Sequence, residues 1–353
     1  MKILIIIDEF IGSNGVSKVN SELVKEWKKL GNSVSMITFK SDNFTNLKIK
    51  TVDKFLFPKK SDISKVEKII KQEEPHIIFC NAGRLSNAIP KKYSTVCRYG
   101  GSFPFDLIHT FKDGLRIFLG SAVLQFIQFL SMRKSGILIS PSKYSSRINK
   151  RFFRKQFICI KNGMNSDNAP KKKIKLGKNS ILFIGEIRHS KGISFLVDAF
   201  KLVREEVPSA KLHVFGKNSN ENLLKKIIST DGIKYHGTTK NVFPYLRGCD
   251  IFAFPSYSES FGLVLLEAQS CGKPVIAFNT TAIPEVVKNN ETGFLVEKKD
   301  INDFVEKTIF LLKNPDKSKK MGQAGKNFSK KFNWEKSAKE YLKVFEEVIS
   351  SKN

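Results

Sequence analysis

Two glutamates, Glu259 and Glu267, bracket the boundary between an apolar run and a helical pattern in the second half of the chain. The apolar run at 251–255 predicts a buried strand, and the following polar turn leads into a helix that begins near Gly262. A helix N-terminus placed after a parallel strand presents free N–H groups and the positive end of the helix dipole, which suits a diphosphate. Glu267 lies too far into this helix to cap it, but a carboxylate there can bind the hydroxyls of a ribose. On spacing alone, a capped helix with a solvated glutamate remains the simpler interpretation.

Apolar strands alternate with amphipathic helices in both halves of the chain, which predicts βαβ units and parallel sheets. An acid-free, lysine-rich stretch at 171–178 has neither pattern and is predicted to lie in a linker. The predicted organisation is an N-terminal Rossmann-like domain at 1–168, a linker at 169–178, a C-terminal Rossmann-like domain at 179–333 and a final helix at 334–353 that packs back toward the N-terminal domain. Two such domains predict a central cleft for ligands.

The balance of 61 Lys and Arg against 33 Asp and Glu gives a net charge of +28. Such a charge is compatible with nucleic acid, with an anionic membrane surface, or with lysine dispersed over solvent-facing helix positions. The five cysteines are scattered and form no metal-binding or disulfide pattern, which favours a reducing compartment. The first apolar run is short and followed at once by two acids, so it predicts a strand and a cytoplasmic protein.

The segment 117–132 carries no charge and is too short for a typical membrane span. Its wide apolar face favours a buried core helix, and a helix lying in the plane of a membrane is the alternative.

The stretch from Glu259 to Glu267, with Phe-Gly-Leu between the acids, closely resembles the E-x7-E signature of the family 4 retaining glycosyltransferases ("glycosyl transferases group 1"). These enzymes have the GT-B fold, two Rossmann-like domains whose parallel sheets face a central cleft. Further stretches resemble the same family in the same order, and they lie at 141–143, 160–163, 181–185, 191–200, 212–216, 272–277, 283–287 and 292–296.

The resemblance implies roles for particular residues. Glu267 would bind the ribose hydroxyls, Lys191 the donor diphosphate, and Glu259 the transferred sugar beside its anomeric carbon. Lys191 and Glu259 are therefore the predicted catalytic residues. The remaining predicted donor-binding residues are Phe261, Gly262, Leu263, Val264, Arg188 and Gly15.

Three features depart from the family pattern. Glu186 stands where the family often has an arginine, and Arg188 is expected to supply that charge. The family's histidine at the end of the strand 95–99 is absent, which leaves Arg98 and His109 as candidates for acceptor binding. The N-terminal glycine pair is spread out as Gly12 and Gly15, of which Gly12 is assigned to the acceptor.

The resemblance implies a retaining, metal-independent hexosyltransferase that uses a UDP- or GDP-linked sugar and needs no further cofactor. The expected acceptor is a glycan or a polyprenyl-diphosphate-linked glycan, in the synthesis of a lipopolysaccharide, capsule or other surface polysaccharide. Such an enzyme would be cytoplasmic and peripheral to the inner face of the membrane. A nucleic-acid-binding α/β protein and a GT-B nucleotide-sugar epimerase are the alternatives; charge alone supports the first, and no nucleic-acid-binding motif accompanies it.

Overall fold

A computed structural model describes residues 1–11, 15–42, 47–101, 111, 114–164 and 172–351. The chain divides into two compact units. Unit 1 comprises Met1–Phe103, Leu119–Gly163 and Asn333–Asn353, and unit 2 comprises Pro104–Phe118 and Met164–Phe332. The predicted domain boundary at residue 168 lies outside the described residues.

The described strands all pair in parallel, as predicted for both halves of the chain. They are β1 (Lys2–Phe10), β2 (Ser33–Ser41), β3 (Lys48–Thr51), β4 (Ile77–Asn81), β5 (Thr95–Arg98), β6 (Ile137–Ser140), β7 (Phe157–Cys159), β8 (Ser180–Ile184), β9 (Lys211–Phe215), β10 (Ile233–Tyr235), β11 (Ile251–Phe254), β12 (Val275–Phe278) and β13 (Gly293–Val296). Within the described residues, unit 1 has a seven-stranded sheet in the order β3-β2-β1-β4-β5-β6-β7, and unit 2 a six-stranded sheet in the order β10-β9-β8-β11-β12-β13.

The helices in the described part of the chain connect these strands. They are α1 (Gly15–Lys29), α2 (Lys60–Glu73), α3 (Leu115–Lys134), α4 (Lys143–Phe153), α5 (Ile193–Glu206), α6 (Glu221–Ser229), α7 (Phe243–Gly248), α8 (Leu263–Ser270), α9 (Ile301–Lys313), α10 (Pro315–Ser329) and α11 (Trp334–Ser350). In both sheets the strand order changes direction beside the first strand of the unit, which is the doubly wound arrangement.

The last helix, α11, belongs to unit 1 and covers one face of its sheet. Trp27 of α1 is fully buried, and its indole Nε1 donates to the backbone oxygen of Ala338 at 3.2 Å. Its ring meets those of Tyr341 and Phe345 with centroids 5.9 and 5.4 Å apart. Phe79 of β4 completes this aromatic cluster, so α11 is fixed to both α1 and the sheet.

Helix α3 is attached to unit 1 along one side, which carries both polar and apolar buried residues. Ser131 contacts Ser86 with their hydroxyl oxygens 2.6 Å apart, and Asn87 donates its amide to the backbone oxygen of Ile127. Much of the apolar surface on the other side faces solvent: Leu119 and Phe126 are each 54% exposed. The prediction that 117–132 is a buried core helix is therefore wrong. Among the described helices, α3 alone is long and apolar enough to cross a membrane by length and composition.

Unit 2 has a separate core between its sheet and flanking helices. Phe183, Phe252 and Phe278 are fully buried in it. Part of the predicted linker also packs here, since Leu176 is buried in this core and the N–H of Ile174 donates to the backbone oxygen of Pro244 at 3.0 Å.

A pair of histidines in unit 2 makes stability depend on pH. His213 Nδ1 lies 2.9 Å from His236 Nε2, and the His236 ring stacks on Phe215. Burial, with repulsion from His213, lowers the pKa of His236 from 6.5 to about 4. The folded state thus favours neutral imidazole, so stability is complete above the unfolded pKa and is lost as pH falls through 6.5 toward 4.

We therefore expect the melting temperature of the wild type to fall more between pH 6.5 and about 4.5 than that of His236→Gln, which does not titrate. Thermal scans across this range check it. Parallel curves for the two proteins would show that the pair does not control acid stability.

Candidate donor site

The predicted donor residues converge at the carboxyl edge of the unit 2 sheet, where its strand order changes direction. Neighbouring strands β8 and β11 are followed by the loops 185–192 and 255–262. The connection from β8 leads to β9 on one side, and β11 is followed by β12 on the other. Ligands of doubly wound folds bind in the crevice at such a switch point.

The two loops are hydrogen-bonded to each other. The backbone oxygen of Ser190 accepts from the N–H of Tyr257 at 3.0 Å and from the hydroxyl of Ser256 at 3.4 Å. Gly192 has a φ of +72°, and a Cβ there would lie 1.8 Å from the backbone oxygen of Pro255. Only glycine allows this approach, so Gly192 fixes the loop that carries Lys191.

We expect Gly192→Ala to destabilise unit 2 by about 3 kcal/mol or more, because the Cβ clash adds to the penalty of a left-handed backbone. Gly237 is the matched control: its φ is +71°, but a Cβ there meets no atom within 4 Å. Gly237→Ala should lose only about 1 kcal/mol. Urea unfolding of both variants measures the difference, and equal losses would mean that the loop contact relaxes without consequence.

The predicted catalytic residues form an ion pair across these loops. Lys191 Nζ lies 2.6 Å from Glu259 Oε1, with the two side chains 27% and 13% exposed. The same carboxylate oxygen accepts from the Ser256 hydroxyl at 3.0 Å. The pair therefore leaves the ammonium and the carboxylate partly accessible in a fixed geometry.

Thr281 holds the backbone of Glu259 from the neighbouring loop after β12. Its Oγ1 accepts from the N–H of Glu259 at 3.0 Å, and the N–H of Ala282 donates to the backbone oxygen of Glu259 at 3.3 Å. Thr281 has a φ of +50°, a strained conformation for a β-branched residue. Sequence reasoning missed Ser256 and Thr281; the polar run beside Glu259 was the available signal for the first, and no local pattern marks the second.

Helix α8 begins at Leu263, as predicted from the pattern around Gly262, and its N-terminus follows Glu259 closely in sequence. Gly262 is the N-cap residue and has a φ of +87°, which favours glycine. Leu263 and Val264 are the first two helical residues, and their N–H groups belong to the first turn, which lacks intrahelical acceptors. Phe261 is buried and its ring packs on Phe332, so any contact of this residue with a donor would involve its backbone.

Glu267 is the fifth residue of α8 and only 5% exposed. The structure therefore excludes a solvated helix glutamate. Burying a carboxylate is unfavourable unless hydrogen-bonding groups compensate it, so a carboxylate at this position needs such partners.

Arg188 stands beside the glutamate that departs from the family pattern. Its NH1 lies 3.2 Å from Glu186 Oε2, and the other Glu186 oxygen accepts from the Ser219 hydroxyl. Glu186 thus fixes Arg188 at the N-cap of the 3-10 turn His189–Lys191. This arrangement keeps a positive charge in the loop despite the substitution.

The other predicted residues belong to unit 1 or lie outside the described residues. Gly15 is the first residue of α1, and a Cβ there would meet no atom within 4 Å. Arg98 ends β5, is 4% exposed, and donates from NH2 to Asn162 Oδ1 at 3.2 Å. Gly12 and His109 lie outside the described residues. In the described part of the chain, no group of His, Cys, Asp and Glu is arranged to hold a metal ion.

Comparison with solved structures identifies the fold as GT-B. A sucrose-phosphate synthase from Thermosynechococcus elongatus superposes with a TM-score of 0.79 at 17% identity, covering 99% of this chain and 100% of that one. The HepE protein of Anabaena, in complex with UDP-glucose, gives a TM-score of 0.76 at 16% identity over 99% and 100% of the two chains. The predicted fold is confirmed.

The sequence model of the family described as "Glycosyl transferases group 1" matches residues 165–328. An uncharacterised glycosyltransferase of Methanocaldococcus jannaschii is 33% identical over 214 residues, which are 60% of this chain and 59% of the relative. The chain spans about half the length of the curated relatives it matches. The predicted family resemblance is confirmed over the second half of the chain.

Proposed function

We propose that this protein is a glycosyltransferase that moves a sugar from a nucleoside-diphosphate sugar to an acceptor hydroxyl with retention of anomeric configuration. The observation that carries the proposal is the Lys191–Glu259 ion pair, 2.6 Å long, in loops that also lead to the N-terminus of α8. Lys191 and the first-turn N–H groups of α8 suit the diphosphate of such a donor, Glu259 suits the sugar hydroxyls, and the buried Glu267 suits the ribose.

In this mechanism the leaving diphosphate gains negative charge as the glycosidic bond breaks. Lys191 and the positive end of the α8 dipole stabilise that charge, with Arg188 nearby in the same loop. Glu259 binds hydroxyls of the sugar beside its anomeric carbon, while Glu267 binds the ribose. The acceptor hydroxyl attacks from the face that the diphosphate leaves, so configuration is kept. The positive groups of the chain replace a divalent metal, and the proposal includes no cofactor.

The donor is proposed to be a UDP- or GDP-sugar, supported by the UDP-glucose complex of the Anabaena neighbour. The acceptor is proposed to be a glycan or a polyprenyl-diphosphate-linked glycan of a surface polysaccharide, with the enzyme in the cytoplasm at the inner face of the membrane. The family resemblance and the net charge of +28 support this part. Arg98 in unit 1 remains the candidate for the acceptor.

Thermal stabilisation by a panel of UDP- and GDP-sugars tests the proposal, because a ligand that binds only the folded protein raises its stability by mass action. We expect one nucleotide series to raise the melting temperature, with free uridine or guanosine much weaker than the diphosphate. The stabilising donor is then incubated with glycan acceptors and the product anomer is determined. Conversion of the nucleotide sugar into its epimer without transfer would favour an epimerase, and salt-sensitive binding to unrelated duplexes without any nucleotide effect would favour a nucleic-acid-binding protein.

A further inference from the structure

Helices α3 and α4 of unit 1 lie side by side on one face of its sheet. Strands β5, β6 and β7 are successive neighbours, and right-handed crossovers place the helices between them on the same face. The rings of Phe129 and Phe153 meet between the two helices with centroids 5.6 Å apart. The sides of α3 and α4 that point away from the sheet therefore face the same way.

The outward side of α3 is apolar. At about 100° per residue, Leu119, Val123 and Phe126 fall within roughly 60° of arc. They are 54%, 41% and 54% exposed. The buried residues of α3 lie on the opposite side, at Gln125, Ile127, Ser131 and Met132.

The outward side of α4 is basic. Arg147, Lys150 and Arg151 are exposed and fall within roughly 100° of arc, while Ser145 and Asn149 on the other side are buried. None of the three cations forms an ion pair with a described residue. We call Leu119, Val123 and Phe126 with Arg147, Lys150 and Arg151 the α3–α4 surface.

The charge of this region is one-sided. Residues 114–166 contain ten Lys and Arg and no Asp or Glu, although the whole chain has 33 acidic residues in 353. A second copy of the same surface would bring like charges together without acids to pair them. Nucleic acid would use the cations and leave the apolar stripe in water. Of these three occupants, an anionic lipid surface satisfies both halves, because it accepts apolar side chains at the acyl boundary and cations at its headgroups.

We propose that the α3–α4 surface docks unit 1 on an anionic bilayer, with α3 lying in the plane of the interface. The polar attachment of α3 to Ser86 and Asn87 keeps the helix on the protein, which suits an in-plane position rather than a span. The inference extends the proposed membrane location, but it depends only on the surface of unit 1 and not on donor chemistry.

Flotation of the full chain with vesicles tests the contribution of the apolar residues of the α3–α4 surface. Phosphatidylcholine vesicles with about 30% phosphatidylglycerol should bind the protein at least tenfold more tightly than phosphatidylcholine alone, and salt should weaken the binding. Val123→Gln with Phe126→Gln should reduce binding at least tenfold. Leu124→Gln is the control, because Leu124 is 47% exposed on the same helix but lies about 160° from Phe126 around its axis, and binding should be unchanged.

Two double variants that change the net charge equally test the contribution of the basic residues of the α3–α4 surface. Lys150→Glu with Arg151→Glu should reduce binding at least tenfold, whereas Lys319→Glu with Lys320→Glu on α10 changes net charge equally and should have little effect. Equal losses in both pairs would overturn the proposal in favour of non-specific attraction. So would unchanged vesicle binding by the apolar variant, or concentration-dependent dimerisation that this variant abolishes. The melting temperature and nucleotide binding of each variant separate a docking defect from misfolding or failure of the donor proposal.

Discussion

Glu267→Gln is expected to lose at least 100-fold in affinity for the nucleoside diphosphate that stabilises the wild type. A buried carboxylate that accepts from two ribose hydroxyls makes two charge-assisted hydrogen bonds, each contributing about 1.5–3 kcal/mol. Each 1.4 kcal/mol is about tenfold in affinity, so losing both far exceeds the effect of an exposed charge. Glutamine keeps the volume of this buried side chain, which is 5% exposed, and should preserve the packing of α8. Calorimetric titration with the nucleotide measures the loss.

The ribose itself supplies the sharpest control. The wild type should bind the 2′-deoxynucleotide more weakly than the ribonucleotide, and Glu267→Gln should bind both alike, because the group that distinguishes them has changed. Glu291→Gln serves as the matched variant, since Glu291 is exposed on the same unit and forms an ion pair with Lys288. Its affinity should equal that of the wild type. If Glu267→Gln retained full discrimination between the two sugars, Glu267 would not be the ribose-binding residue.

Much of this site is predictable because its determinants are local in sequence. The apolar run before Pro255 and the helical pattern after Gly262 define a strand, a turn and a helix N-terminus, and the structure places all three within a few residues of the predicted positions. Burial of Glu267 was not predictable, because a solvated glutamate and a buried one can occupy the same position in the helical pattern. It depends on how α8 packs against the rest of unit 2.

The contacts that fix Glu259 depend on distant segments. The N–H of Glu259 donates to Thr281, which follows a different strand, and Gly192 meets Pro255 only because β8 and β11 are neighbours in the sheet. The sequence around Gly192 does not indicate that its backbone packs against Pro255. Sheet order must be known before such pairs can be derived.

Helix α3 shows the opposite difficulty, in which a local pattern leads to the wrong environment. Its apolar residues favour burial by composition, yet only one side of the helix is buried against unit 1, and Leu119 and Phe126 on the other side face solvent. Strand β3 is also hard to predict from its sequence, because it is a short edge strand, KIKT, whose residues are largely exposed and carry no strong apolar signal.

Lys191→Ala and Glu259→Gln are both expected to lower kcat, but only Lys191→Ala is expected to weaken nucleotide binding as well. Lys191→Ala should lower kcat by about 10²–10³, because a preorganised positive group that stabilises the departing diphosphate is removed. It should also weaken donor binding, since the same ammonium binds the diphosphate before reaction. Glu259→Gln should lower kcat by a similar factor with little change in nucleotide affinity, because this carboxylate is proposed to contact the sugar and not the nucleotide. Steady-state kinetics with the donor that stabilises the wild type, together with calorimetric titration of the nucleotide, distinguishes the two patterns.

The ion pair makes the two substitutions interdependent. Without donor, each side chain has the other as its partner at 2.6 Å. Removing Lys191 leaves Glu259 with the Ser256 hydroxyl, and removing Glu259 leaves Lys191 with the ring of Phe254, 6.0 Å from its Nζ. The double variant should therefore lose less activity than the product of the two single losses, as residues that act as a unit do. Ser256→Ala should cause a smaller decrease, about tenfold or less, because it removes one hydrogen bond to Glu259 and leaves the ion pair. Full additivity in the double variant would mean that the pair seen between the loops plays no part in the reaction, and that the cation and the carboxylate act on separate groups of the donor.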